Sequence, residues 1–531
     1  MNTHDSFFYP WARDVTIGKR GAVATSQPQA VLAGMEMLLK GGNAADAAIA
    51  MAVALTVLEP VSNGIGSDAF AIVWDGKAVG LNASGRSPLG LDVHALEGCP
   101  VYPELGWPSV TVPGAVSAWI ALWRRYGSLS LRRVFAPAIR YADEGFAITP
   151  HIARVWAKEA LRFSSLPQAL QGPFFSTFFP DGFEPKPGAT FRNPDQARTL
   201  REIAATEGES FYRGRLASKM ASFSEMTGGF LSTKDLATHE PLWVNPLSLD
   251  YRGLTVYELP PNGQGLAALL ALGILSPFEL QRYPRESAES YHIQIEAMKL
   301  ALADVRRCIA DPAIMTLDAS SLLEPARIAQ RASLIGENAI PLAEPGPSYQ
   351  GGTVYLAAAD GELMVSFIQS NYQGFGSGVV VPGTGIALQN RGACFSLETG
   401  HPNCVAPGKR PYHTIMPGFL ALDGKPLGPF GVMGGPMQPQ GHLQVVVNLA
   451  DYGMSPQTAL DAPRWKFLDG SRVLLESSVP RLIALALADK GHTIEMSAEP
   501  SHFGKGQAIL KEHGAFFAGS DPRADGLALA W

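Results

Sequence analysis

Gly351-Gly352-Thr353 is the segment in which residue type and order first suggest covalent chemistry. A threonine hydroxyl is a weak nucleophile at its ordinary pKa and needs a base beside it. If the chain breaks before Thr353, the freed α-amino group is such a base. With a pKa of about 8, it can take and return a proton near neutral pH. Two preceding glycines admit the strained backbone that such a cut would demand. By itself the tripeptide reads as a turn leading into a strand, so its weight depends on context.

Other reactive residue types form no competing pattern. His292, His401, His413 and His442 are scattered without metal-ligand spacing. Cys99, Cys308, Cys394 and Cys404 match neither a zinc pattern nor a dense disulfide framework, and a Cys394–Cys404 pair is not expected. Asn262-Gly263-Gln264-Gly265 lacks the surroundings of a nucleotide-binding loop. Glu296 and Asp304 read as a solvated or subunit-facing helix edge, not as an acid/base pair.

The elements that would position Thr353 follow from periodicity. The run 353–358 is a strand, Asp360-Gly361 a turn, and 363–371 a second strand. The segment 43–59 is Ala-rich and apolar on every face, so it predicts a fully buried helix with Asn43 as its N-cap. Strands at 69–74 and 78–82 flank Asp75-Gly76 as a hairpin. Helical periodicity covers 115–126, 131–145 and a long amphipathic stretch at 287–309. The segment 343–352, with two Pro and three Gly, reads as an exposed, mobile linker. A further strand is expected over 415–422, and 441–449 fits helix or strand. Strand hairpins between long helices, before and after the linker, predict an α+β fold of stacked antiparallel sheets between helical layers.

Composition narrows the function. The chain has 531 residues, a formal net charge of −6, 46% hydrophobic and 17% charged residues. That suits a globular protein with a large core and offers no basic stripe for nucleic acid. The first 19 residues lack an apolar h-region, and the longest apolar run, 47–58, is too short to span a bilayer, so a cytoplasmic location is expected with no membrane partner.

Context for Thr353 comes from motifs in a fixed order. They are Gly41-Gly-Asn-Ala-Ala-Asp-Ala47, Gly64-Ile-Gly66, Val112-Pro-Gly-Ala115, Pro260-Pro-Asn-Gly-Gln-Gly265, Glu296-Ala-Met-Lys299, Val365-Ser-Phe-Ile-Gln-Ser-Asn371, Gly374-Phe-Gly-Ser-Gly378, Lys409-Arg410-Pro411 and Gly434-Gly435. Over nearly its whole length the chain resembles the γ-glutamyltranspeptidases. The resemblance implies an αββα sandwich with an N-terminal nucleophile, made as a proenzyme that cuts itself at Gly352–Thr353. Residues 1–352 would be a large subunit and 353–531 a small one, intertwined in one domain; a dimer of such heterodimers is compatible with the sequence. Thr353 would be the nucleophile, with Asn371 near its amino group, Gly434 and Gly435 as oxyanion donors, and Arg86 gripping a substrate carboxylate. No metal or organic cofactor is implied.

The departures concern the substrate. Leu388-Gln-Asn-Arg-Gly-Ala-Cys-Phe395 stands where the family holds the ammonium of a γ-glutamyl group: Arg391 replaces its Glu/Gln and Cys394 its Asp. His413-Thr414 replaces a Ser-Ser pair that binds the α-carboxylate, and Gln369 matches a second family threonine. A site that lost its cation receptor and holds Arg86, Arg391 and His413 should prefer a small anionic amide, of which oxamate is the smallest. These departures resemble the oxamate-cleaving members of the family, which serve purine nitrogen catabolism, and also cephalosporin-acylase-type members. The competing readings are a γ-glutamyl hydrolase or transferase with an atypical site, and an unprocessed, non-catalytic binding protein.

Overall fold

The computed structural model describes residues 13–341, 352–361 and 363–531. Gly351 and the rest of the expected linker before Gly352 lie outside the described residues. Two seven-stranded antiparallel sheets stack face to face. The first runs in the order Leu527–Ala530, Gly21–Thr25, Gly352–Asp360, Leu363–Tyr372, Asp68–Trp74, Ala78–Asn82, Leu242–Val244. The second runs Thr16–Gly18, Ala515–Ser520, Lys505–Glu512, Lys425–Met433, Gly418–Leu422, Leu254–Glu258, Leu247–Tyr251. Strands from before and after Gly352 are interleaved in both.

The layers follow from strand alternation. In Gly352–Asp360, Tyr355, Ala357 and Ala359 face the second sheet, whereas Val354, Leu356 and Ala358 face helices. The inter-sheet core joins Phe70, Ile72 and Ile368 to Phe419, Ile509 and Phe516, and Trp74 stacks on Phe419 at 5.5 Å. Helices Pro28–Leu39, Ala44–Leu58, Ala115–Tyr126 and Leu131–Glu144 cover the first sheet; Gly265–Leu275, Ala288–Cys308 and Gln438–Ala450 cover the second. The result is the expected αββα sandwich, with the strand that begins at Gly352 near the middle of the first sheet.

Every residue of Ala44–Leu58 is buried, because its small side chains let neighbours approach from all sides. Its start is fixed twice over. The Asn43 side chain accepts from the Ala45 and Asp46 amides, and the Asp46 carboxylate takes the Asn43 amide in return. Asp46 also receives the Ser128 and Leu129 amides and the Ser128 hydroxyl. The 441–449 ambiguity resolves as helix.

One expectation needs correction. The long helix Ala288–Cys308 is not solvated along the Glu296–Asp304 edge: both carboxylates are buried. Each is neutralised locally, Glu296 by Lys299 at 2.8 Å and the Ile340 amide at 2.9 Å, Asp304 by Arg331. Charges therefore lie inside the second helical layer because partners were supplied, which periodicity cannot reveal. All four cysteines are free, as expected. No helix among the described residues is long and apolar enough to cross a membrane.

Replacing Asn43 with Ala removes the cap that starts the buried helix. A loss of about 1 kcal/mol is expected, read as a lowered midpoint of thermal unfolding; an unchanged midpoint would show that Asp46 and Ser128 suffice without it.

Candidate active site

Gly352 and Thr353 open their strand across an irregularity. Thr353 pairs with Ser370, but Gly352 pairs with Tyr372, so Asn371 is the extra residue of a bulge. Thr353 is 3% exposed. Its Oγ1 lies 3.0 Å from the Ser370 Oγ, and the Ser370 hydroxyl donates to the Gly352 carbonyl at 2.6 Å. A hydroxyl has one proton, so with that proton on Gly352 the Thr353 hydroxyl is the donor in its contact with Ser370. The Tyr372 amide (2.8 Å) and the Arg391 Nη2 (3.2 Å) donate to the same oxygen. One serine thus touches the candidate nucleophile and the carbonyl that precedes it.

Gly352 is needed for close approach, not for an unusual φ. A Cβ there would sit 3.0 Å from the Gln373 carbonyl and 3.1 Å from the Val61 oxygen, and Gly352 is absent from the positive-φ glycines. The expected strain appears instead at Tyr372, a non-glycine residue with φ 77° just beyond the bulge.

Arg391 is completely buried. Its guanidinium donates to the Thr414 hydroxyl at 2.7 Å and to Ser370, and stacks on the Tyr372 ring at 4.5 Å. Its Nε has no acceptor, and no carboxylate pairs with it among the described residues. The Cys394 Sγ is 3.7 Å from Nη1, with burial pushing the thiol pKa up. A buried cation lacking a counter-charge is costly unless an anion completes it.

The nearest acid is Asp68. Burial pushes its pKa up to about 7, while Arg391 and the Gly85 and Gly114 amides pull it back down. His413 is buried against it, Nε2 to Oδ2 at 3.1 Å. Because His413 Nδ1 accepts from the Ile415 amide, its proton sits on Nε2. Burial and Arg391 hold the ring neutral. His413 is therefore no cation donor, contrary to the expectation from sequence; it orients Asp68.

Asn371 accepts from the Ser67 hydroxyl at 2.8 Å and keeps a buried Nδ2 without an acceptor. Gly434 lines one cavity with Gly352 and Thr353. Gly434 and Gly435 have φ values of 139° and 60°, which exclude ordinary side chains, and no turn or loop hydrogen bond takes up either amide among the described residues. Gln264, from the Asn262–Gly265 loop, fixes this turn by donating to Gly435 O and Thr414 O. The structure thus gathers Gly352, Thr353, Gly434, Arg391 and Thr414. It does not bring Arg86 to them. Arg86 is half-exposed, bonds to Asp311 at 3.0 Å and to Gly408 O at 2.9 Å, and lines separate cavities of about 340 and 520 Å³. Gln369 also turns away, bonding to Trp119, Ala52 and Asn63 on the helical side.

Ser370 was missed by motif matching. The signal existed: counting back from the turn between Asp360 and Leu363 places Ser370 opposite Thr353. Also unforeseen are His151, Glu159 and Lys505, which line the Thr353 cavity, a space of about 50 Å³.

Comparison with known proteins gives one direction. The family model described as Gamma-glutamyltranspeptidase matches residues 30–531. The chain is 37% identical to the "Glutathione hydrolase-like YwrD proenzyme" of Bacillus subtilis, over 97% of this chain and 99% of that one. It is 34% identical to the oxamate amidohydrolase proenzyme of Klebsiella pneumoniae, over 94% and 96%. Among solved structures, the cephalosporin acylase from Bacillus halodurans superposes with a TM-score of 0.94 at 50% identity, covering 100% of this chain and 99% of that one.

The Asp68–Arg391 pairing has a pH signature. Above about 7 Asp68 ionises and its charge offsets that of Arg391; below, it is neutral and Arg391 acts alone. Affinity for small carboxylates, measured by calorimetry, should therefore fall as pH rises through about 7, and Asp68→Asn should remove that step. A step that persists in Asp68→Asn would assign it to another group.

Proposed function

The chain belongs to the gamma-glutamyltranspeptidase family and is a hydrolase of amide bonds, and from that premise we propose that it cuts itself between Gly352 and Thr353 and then hydrolyses a small carboxylate-bearing amide, oxamate being the best candidate. The observation that carries this reading is the buried Arg391 guanidinium, without a carboxylate partner among the described residues and one hydroxyl away from Thr353. In the uncut chain the Gly352 carbonyl occupies the acyl position, held by Ser370. Once that segment leaves, a substrate carbonyl takes its place. A carboxylate one bond further on then comes within reach of the Arg391 side, where a guanidinium can grip it.

In turnover, the Thr353 Oγ attacks the amide carbon while its own α-amino group accepts the proton. Negative charge on the carbonyl oxygen falls to the Gly434 and Gly435 amides, donors fixed in place before the reaction. The same amino group returns the proton to the leaving ammonia, and water hydrolyses the acyl-threonine ester. Asn371, with its free amide nitrogen beside the bulge, orients the chain end, and His413 and Thr414 support Asp68 and Arg391. A γ-glutamyl substrate is disfavoured: its ammonium would meet Arg391 and a protonated Cys394 where relatives place acids. Identity of 50% to a cephalosporin acylase supports a second reading, an acyl group that carries its carboxylate on a longer chain.

Thr353→Ala should leave one uncut chain without activity, whereas the native protein should give fragments 1–352 and 353–531 and release ammonia from oxamate. Arg391→Met should lower kcat/KM for oxamate by about 100-fold, the worth of a charge-assisted hydrogen bond of about 3 kcal/mol, and leave a neutral amide less affected. Arg86→Ala should have a small effect on oxamate. Ammonia-free fragments that instead cleave a carboxylate-terminated acyl cephalosporin would move the assignment to the acylase reading; glutathione turnover would move it to a γ-glutamyl enzyme.

A further inference from the structure

Self-cleavage meets a difficulty that turnover does not. The α-amino group of Thr353 is still part of a peptide bond, so it cannot accept the hydroxyl proton, and another base is required. The cavity at Thr353 offers three side chains that could take a proton: His151, Glu159 and Lys505. Glu159 is ion-paired to Arg162 and packs on Gly374. His151 stands in the first turn of helix Pro150–Glu159, where Asp525 holds its amide. Its Nδ1 faces the Arg154 Nη2 at 3.0 Å, and its Nε2 faces the Lys505 amine.

That arrangement fixes protons. Arginine does not give up a proton in proteins, so Nδ1 must accept from Arg154. The one hydrogen of a neutral imidazole then sits on Nε2 and points at Lys505. An ammonium cannot accept it; an amine with a lone pair can. The alternative, a doubly protonated ring, would set a hydrogen against Arg154, and burial together with Arg154 pushes the His151 pKa down. Lys505 is therefore the neutral partner. Burial lowers its proton affinity, as does Arg154, against the opposing pull of Glu59, Asp525 and Asp521 from the elements around it. It begins strand Lys505–Glu512, directly opposite Met433 and so beside Gly434.

We infer that Lys505 is the base that takes the Thr353 hydroxyl proton when the chain cuts itself. The inference rests on the cut lying at Gly352–Thr353. Lys505 and Thr353 line the same cavity of about 50 Å³, which has room for a bridging water. As Nζ takes the proton, the Thr353 Oγ bonds to the Gly352 carbon, whose oxygen Ser370 holds. Nζ then passes that proton to the Thr353 nitrogen as the C–N bond breaks, leaving an ester. Water splits the ester into a Gly352 carboxylate and the Thr353 hydroxyl. Thereafter the freed α-amino group is available, and His151 remains to hold Lys505 in place.

The test uses the full chain made by cell-free synthesis and followed by intact mass between about pH 5 and about pH 9. The native rate should rise with pH and level off. Lys505→Arg keeps a long basic side chain but cannot shed its proton; it should cut about 100-fold more slowly and lose the pH dependence. Lys505→Ala should be slow and be accelerated by added methylamine in proportion to its free-base concentration. Cutting at the native rate in Lys505→Arg overturns the proposal. So does a folded Lys505→Ala chain, melting like uncut Thr353→Ala, that no amine rescues. If Thr353→Ala itself still splits, the cut site has been misplaced, whatever the lysine variants do.

Discussion

The register of one hairpin governs the site. Because Thr353 lies across from Ser370, and the bulge at Asn371 displaces the next pair, the Thr353 hydroxyl, a second hydroxyl and the Gly352 carbonyl meet on the face between the two sheets. A slip of one residue would send Thr353 to the helical side, as strand periodicity requires. The register is held from both flanks by Gly21–Thr25 and Asp68–Trp74 and from beneath by the wholly buried helix Ala44–Leu58. The extensive core therefore fixes positions at the scale of a hydrogen bond.

Electrostatics add a second constraint. Arg391 is enclosed with hydroxyls, a thiol and a tyrosine ring, while Asp68, the one carboxylate near it among the described residues, is occupied by two backbone amides and a neutral histidine. Charge at this point is unbalanced by an amount that a single small anion would correct. A second basic group, Lys505 with its neighbour His151, lines the Thr353 cavity, and the protonation of each follows from an arginine that can only donate.

Much of this could be read from residues alone. Strands, the buried helix and its Asn43 cap, the layer order and the clustering of Thr353, Gly434 and Arg391 follow from periodicity, capping chemistry and motif order. What escaped has a physical reason. Glu296 and Asp304 looked solvated because burial of a charge depends on partners distant in the chain, Ile340 and Arg331. His413 looked like a cation because nothing in its neighbours in sequence announces the backbone amide that fixes its tautomer. Arg86 has the right residue type, yet Asp311 takes it. Ser370 was hidden by matching motifs where counting strand positions from the turn would have found it.

Interleaving of strands from both sides of Gly352 has a further consequence. Four strands of the first sheet and three of the second precede the proposed cut, and the remaining three and four include or follow it. Neither fragment alone can complete either sheet, so each, made separately, would carry open edges of the kind that drive aggregation. Translation as one chain guarantees equal numbers of the two pieces and lets each template the other. Since Thr353, Ser370 and the Gly352 carbonyl meet only in the finished sheets, the proposed break would also act as a certificate of correct folding: a chain that has not reached this architecture could not expose the Thr353 amine.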